Sequence, residues 1–174
     1  DLKLAAGALA AEIEAPTLLI GHSLGGAAVL RAAGEIEGLK AVATIGAPFD
    51  PEHVVHNFGS ALDEIAENGE AEVSLGGRPF TIKQSFVEDV SANNLRTSIA
   101  GMKRALLVLH SPTDQTVGIE NAGEIFGAAK HPKSFVTLDD ADHLLTRSED
   151  AEYAADVISS WARRYLNVPT VKTA

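Results

Sequence analysis

Three short stretches hold residue types that together could carry out acyl transfer. Gly21-His22-Ser23-Leu24-Gly25 sets a serine between two glycines, the G-x-S-x-G pattern of a sharp strand-to-helix turn. Such a turn holds its serine in a strained backbone conformation, and side chains two positions to either side would collide, which calls for glycine at both sites. It lifts Ser23 Oγ above the sheet and places a helix N-terminus beneath it, where N–H groups and the helix dipole favour an anion. The first oxyanion donor expected there is the backbone N–H of Leu24. A serine hydroxyl is a poor nucleophile at neutral pH, so it needs a base, and the base needs an orienting acid. His143, in Asp139-Asp140-Ala141-Asp142-His143-Leu144-Leu145, supplies the base. Asp114, in His110-Ser111-Pro112-Thr113-Asp114-Gln115-Thr116-Val117, supplies the acid. The chain order Ser, Asp, His is one of those in which this chemistry recurs.

Other residues compete for these roles. Asp139, Asp140 and Asp142 share the loop of His143 and would struggle to reach the far side of its ring. His22 lies inside the turn, where its ring is expected to pack behind the serine. His110 ends a strand and reads as a buried ring bonded to backbone. His53 and His56, near Asp50 and Glu52, have i,i+3 spacing but no third ligand at a telling distance. They read as a solvated helix face, so no metal is expected. Phe49, Phe58, Phe80 and Phe86 could line an apolar acyl pocket or simply fasten one part of the chain to another.

The elements that must position Ser23, Asp114 and His143 follow from the apolar pattern. Thr17–Ile20, Ala41–Ile45, Ala105–His110 and Ser134–Leu138 are short apolar runs of the kind found in buried parallel strands. Helices are expected over residues 2–14, 24–35, 116–129 and 149–165. Strands alternating with helices indicate an α/β domain with a parallel sheet. The three stretches then fall in loops beyond the carboxyl ends of three strands, where ligands of open α/β sheets bind. Residues 49–101 break the rhythm: a helix from Asp50-Pro51 to about Asn68, a hairpin around Gly76-Gly77, and a helical stretch from Gln84 to Ala100 interrupted near Asn93-Asn94. About fifty residues between two sheet strands suggest a cap-like insert. Residues 168–174 read as a linker or frayed tail.

Composition narrows the function. The 174 residues carry 14 Lys plus Arg against 24 Asp plus Glu, a net charge of −10, which repels phosphate backbones and argues against nucleic acid as a partner. The absence of cysteine removes disulfides, thiolate metal sites and cysteine nucleophiles. No apolar run approaches the length of a membrane span, and Asp1-Leu2-Lys3 does not read as a signal peptide. The location expected is the cytoplasm. Apolar residues make up 45% of the chain, more than a fold of this length readily hides.

These residues resemble a serine α/β-hydrolase. Gly21 to Ala28, Ala43-Thr44-Ile45-Gly46-Ala47-Pro48 and Ala141-Asp142-His143-Leu144-Leu145 are similar to the hydrolase part of bacterial proteins fused to an osmotically-inducible-protein-C-like domain. The resemblance implies an α/β-hydrolase-like fold truncated to about four parallel strands, the usual strands 5–8, with flanking helices and a helical and hairpin cap insert. It implies a carboxylesterase-like enzyme acting on small, short-chain acyl esters through Ser23, Asp114 and His143, with Gly21, His22, Gly25 and Gly26 forming the elbow and no cofactor. Thioesterase and peptidase chemistry would use the same triad. Only 22 residues precede Ser23, so the N-terminal strands and the loop that usually gives a second oxyanion donor have no counterpart. A non-catalytic half-domain acting as an association module is therefore the alternative. Strand 17–20 would present an unpaired apolar edge, and a homo-oligomer covering it is expected.

Overall fold

Two strands explain why the sheet forms as it does. Ala41–Ile45 (β2) and Ala105–His110 (β5) carry side chains that are almost all buried, so both faces of each strand must be covered. In the computed structural model, which describes residues 1–51, 58–75, 78–91 and 95–166, they form the centre of a four-stranded sheet. Leu18–His22 (β1) pairs with β2, β2 with β5, and β5 with Lys133–Thr137 (β6), all in parallel. Their register aligns His22 with Ile45, Ile45 with Leu109, and His110 with Thr137. The four carboxyl ends therefore open on one rim.

Alternation along the central strands divides the core into two layers. Val42, Leu106 and Val108 pack on one face with residues from Leu24–Ala32 (α2), Leu95–Gly101 (α5) and Glu120–Ala128 (α6). Ala43, Leu107 and Leu109 pack on the other, against Ala154 and Ile158 of Ser148–Leu166 (α7). In α7 the buried Ala154, Ile158 and Ala162 recur every four residues, the stripe of a helix with one face on a core. Acidic Glu149 and Asp150 sit in its first turn and Arg163 and Arg164 in its last, the arrangement the helix dipole favours. The first helix, Leu2–Glu12 (α1), buries only Ala6. No helix among the described residues is long and apolar enough to cross a membrane.

The inserted stretch divides. Ala61–Asn68 (α3), the antiparallel pair Glu70–Leu75 (β3) and Arg78–Lys83 (β4), and Gln84–Ser91 (α4) share a separate core of Phe58, Ile65, Ala71, Val73 and Ile82. Leu95 and Ile99 of α5 instead join the core of the main sheet. The segment with its own core thus spans residues 58–91, and the helical stretch expected up to Ala100 serves two bodies. Of the helix expected from Asp50-Pro51 to about Asn68, Pro51 is helical, residues 58–60 form a turn and Ala61–Asn68 is a helix of its own. Residues 52–57, with His53 and His56, Gly76-Gly77, Asn93-Asn94 and the tail from Asn167 lie outside the described residues.

Candidate active site

β1 ends at His22 and α2 begins at Leu24, so Ser23 alone makes the turn. Its backbone has φ +53° and ψ −128°, a conformation that L residues adopt only under constraint. The constraint is visible at the neighbouring glycines. A Cβ on Gly21 would lie 2.4 Å from the Gly25 carbonyl oxygen, and one on Gly26 would lie 2.5 Å from the Cβ of Ala47. At Gly25 a Cβ would meet nothing within 4 Å beyond its own helix backbone and chain neighbours. This corrects the sequence expectation: the close approaches are at Gly21 and Gly26, because the helix turns the Gly25 Cα toward open space. Leu24 opens α2, so its N–H belongs to the first-turn donors that lack an intrahelical acceptor.

Ser23, Asp114 and His143 meet on the rim where the strands end. His143 Nδ1 lies 2.7 Å from Asp114 Oδ2, and its Nε2 lies 3.0 Å from Ser23 Oγ. With Nδ1–H donated to the carboxylate, Nε2 is the acceptor for the serine hydroxyl. The other carboxylate oxygen, Asp114 Oδ1, accepts from the backbone N–H groups of Thr116 and Val117 at 2.8 and 2.9 Å. Burial, the largest single influence on this carboxyl, pushes its pKa up. The hydrogen bonds from His143, Val117 and Thr116, together with electrostatic attraction to His143, outweigh it and hold Asp114 below the ordinary aspartate value.

The three rival carboxylates in the histidine loop, Asp139, Asp140 and Asp142, are all exposed. Asp142 accepts from the Thr146 N–H at 2.9 Å and from the Thr146 hydroxyl. His110 is fully buried, and its Nε2–H donates to the Val117 carbonyl at 2.8 Å, as its place at a strand end suggests.

Comparison with known proteins identifies the family. No protein-family model matches the chain, and no curated protein does. Among solved structures, the esterase domain of a Rhodothermus marinus protein is 59% identical, with a TM-score of 0.86 over 95% of this chain and 68% of that one. The chain belongs to the α/β-hydrolase family of esterases. Est1E of Butyrivibrio proteoclasticus, solved with ferulic acid, is similar at 18% identity, with a TM-score of 0.68 over 95% of this chain and 66% of that one. The mouse α/β-hydrolase domain-containing protein 10 is similar at 21% identity, with a TM-score of 0.70 over 93% and 68%. At such identities the likeness is one of fold.

In this esterase the four phenylalanines do not come together. Phe58 is buried in the core of the insert and Phe86 packs against it, while Phe80 is about half exposed. Phe49 belongs to the main body: it packs on the principal core, its N–H donates to Asn121 Oδ1 at 2.9 Å, and the Arg96 guanidinium lies 4.8 Å from its ring centre. One residue at the rim escapes a motif-based reading. Gly46 has φ +54°, and a Cβ there would sit 3.3 Å from Asp114 Oδ2 and 3.4 Å from His143 Nδ1, so bare backbone lies against the His143–Asp114 hydrogen bond. A glycine directly after a buried strand, on the rim shared with the serine, is the signal that could have marked it. His22 departs from expectation: its ring does not pack behind the serine but is exposed, with Nε2 2.6 Å from the His143 carbonyl oxygen.

Proposed function

We propose that this esterase hydrolyses small carboxylic esters with short acyl groups through an acyl-enzyme on Ser23. The observation that carries the reading is His143, which bridges Ser23 Oγ and Asp114 Oδ2 within hydrogen-bond distance, from loops widely separated in sequence. Ser23 Oγ attacks the ester carbonyl carbon as its proton passes to His143 Nε2, and Asp114 stabilises the imidazolium that forms. The negative charge on the former carbonyl oxygen falls at the N-terminus of α2, where the Leu24 N–H is available. The tetrahedral intermediate expels the alcohol, which takes the proton from His143. Water then attacks the acyl-enzyme with His143 again as base, releasing the acid and restoring Ser23. The preference for short acyl groups is supported by the insert, whose two described helices are eight residues each. The reaction as written draws on no cofactor.

Turnover of a chromogenic short-chain ester by the wild type and by Ser23→Ala tests this. The expected loss is on the order of 10³-fold or more, with an unchanged thermal midpoint. Equal rates would overturn the assignment and favour an association module. A matched thioester and amide would show which acyl class is preferred. We infer in addition that a second copy of the chain covers the outer side of β1.

A further inference from the structure

The structure assigns His22 a role as a positioning residue for the triad, an inference that rests on the reading of Ser23 and His143 given above. The nucleophile and the base stand on loops that are distant in sequence, so the 3.0 Å contact between them depends on how those loops are spaced. Ser23 is fixed on its own side by its N–H, which donates to the Ile45 carbonyl at 2.9 Å. The imidazole of His143 is held at Nδ1 by Asp114 at 2.7 Å. Those contacts fix the serine to β2 and the ring to the acid loop. Neither one holds the main chain of His143 to the strand that carries the serine.

His22 does so. It is the last residue of β1 and the neighbour of Ser23, and its Nε2 lies 2.6 Å from the carbonyl oxygen of His143. A carbonyl oxygen only accepts, so His22 Nε2 carries the hydrogen, as the neutral Nε2–H tautomer or the imidazolium. The two rings lie with centroids 5.0 Å apart and planes tilted by 41°, so His22 stands beside the base and not between it and the serine. The geometry thus has two links between the same two segments: Ser23 Oγ to the His143 ring, and His22 to the His143 backbone. The first must break and re-form as the proton moves, and the second persists throughout the cycle. An exposed histidine could instead hydrogen-bond only to water, and its fold would not suffer. What this one adds is a fixed spacing between nucleophile and base, where an error of about 1 Å can cost on the order of 10²-fold in rate.

Three substitutions separate this role from simple packing. His22→Phe keeps a ring beside His143 but has no donor. His22→Ala removes both, and His22→Gln restores an N–H donor at about the reach of Nε2. Steady-state hydrolysis of a chromogenic acetate ester is measured alongside the rate at which a fluorophosphonate labels Ser23, with thermal melts to establish that each variant is folded. The expected result is a kcat lowered roughly 10- to 100-fold in His22→Phe and His22→Ala, with KM within about twofold. The labelling rate falls by the same factor, and His22→Gln recovers to within about threefold of the wild type. A folded His22→Phe with wild-type kcat, a change confined to KM, or no rescue by glutamine would each overturn the role. Ser23→Ala run in parallel distinguishes the two levels of the argument: an active Ser23→Ala overturns the triad and the role of His22 with it. An inert Ser23→Ala beside a fully active His22→Phe overturns His22 alone.

Discussion

Gly21, Gly25 and Gly26 are chemically identical and physically different. At Gly26 an added methyl would enter the side chain of Ala47, and at Gly21 it would enter the backbone of the following helix. At Gly25 it would enter open space. Gly26→Ala is therefore expected to cost about 1–3 kcal/mol by overpacking, lowering the thermal midpoint by roughly 2–12 °C in a chain of this size. Gly25→Ala is expected to melt at or slightly above the wild type, because alanine loses less freedom on entering a helix. Calorimetry of the two variants decides the matter, and equal losses would contradict the geometry. Asp114 is the residue whose charge is tied to the fold. Its carboxyl lies below the ordinary aspartate value, so its ionised form stabilises the native state fully above the unfolded pKa of about 3.9, and that contribution is lost as pH falls through the lower native value. Urea melts of the wild type and Asp114→Asn should differ most above about pH 4 and converge below it. A gap that stays constant from pH 2.5 to 5 would show that the charge plays no such part. The meeting of Ser23, Asp114 and His143 was legible in the sequence because a strained turn has a local signature and the rim fixes where its partners can stand. The asymmetry between Gly25 and Gly26 was not legible, since the direction of a missing Cβ depends on Ala47, which lies beyond the turn. The partner of His22 is a carbonyl 121 positions away, for which no motif exists.

At the level of elements, continuous apolar runs identified all four strands of the sheet; β2 and β5 are covered on both faces and need no alternation, whereas β1 and β6, at the edges, are only half-buried. The bounds of β2 and β5 are as expected, and those of β1 and β6 differ by one or two residues. The inserted stretch was less legible for a definite reason. Phe58, Phe80 and Phe86 follow one another in a segment whose apolar residues could serve a pocket or a core, and only tertiary contacts distinguish the two. The structure gives this segment its own cluster around Ile65, which is 1% exposed. A small separate core should open as a separate unit. Ile65→Ala is expected to remove about 2–5 kcal/mol from that unit while leaving the main sheet intact. Hydrogen exchange followed by mass spectrometry would then show protection lost over residues 58–91 and kept in β2 and β5. Equal loss in β2 and β5 would mean that the insert and the sheet unfold together.

For the whole molecule, the apolar surplus in the composition has a location. β1 is an edge of the sheet, and no described strand pairs with its outer side. Beside it runs a groove of about 760 Å³ between β1 and α7, walled by Leu18, Ile20, Ile45, Leu145, Ile158 and Leu166. Ile20, at the middle of the strand, is 53% exposed. An open edge next to apolar surface tends to recruit another strand. A second copy supplies both requirements at once. Antiparallel pairing about Ile20 would set Ile20 opposite Ile20 and Leu18 opposite His22, extending the sheet across a twofold axis and bringing the two grooves side by side. Because the contact is self-complementary, a single charge at its centre appears twice and is opposed by its own copy. Ile20→Lys therefore tests the interface with little risk to the fold, as the side chain already stands half in solvent. Light scattering at micromolar concentration should give the mass of a dimer for the wild type and of a monomer for Ile20→Lys, each with the same thermal midpoint at high dilution. A monomeric wild type, or an Ile20→Lys that stays dimeric, would show that β1 does not join two copies. The first outcome would also leave the edge and its groove to a different segment of polypeptide.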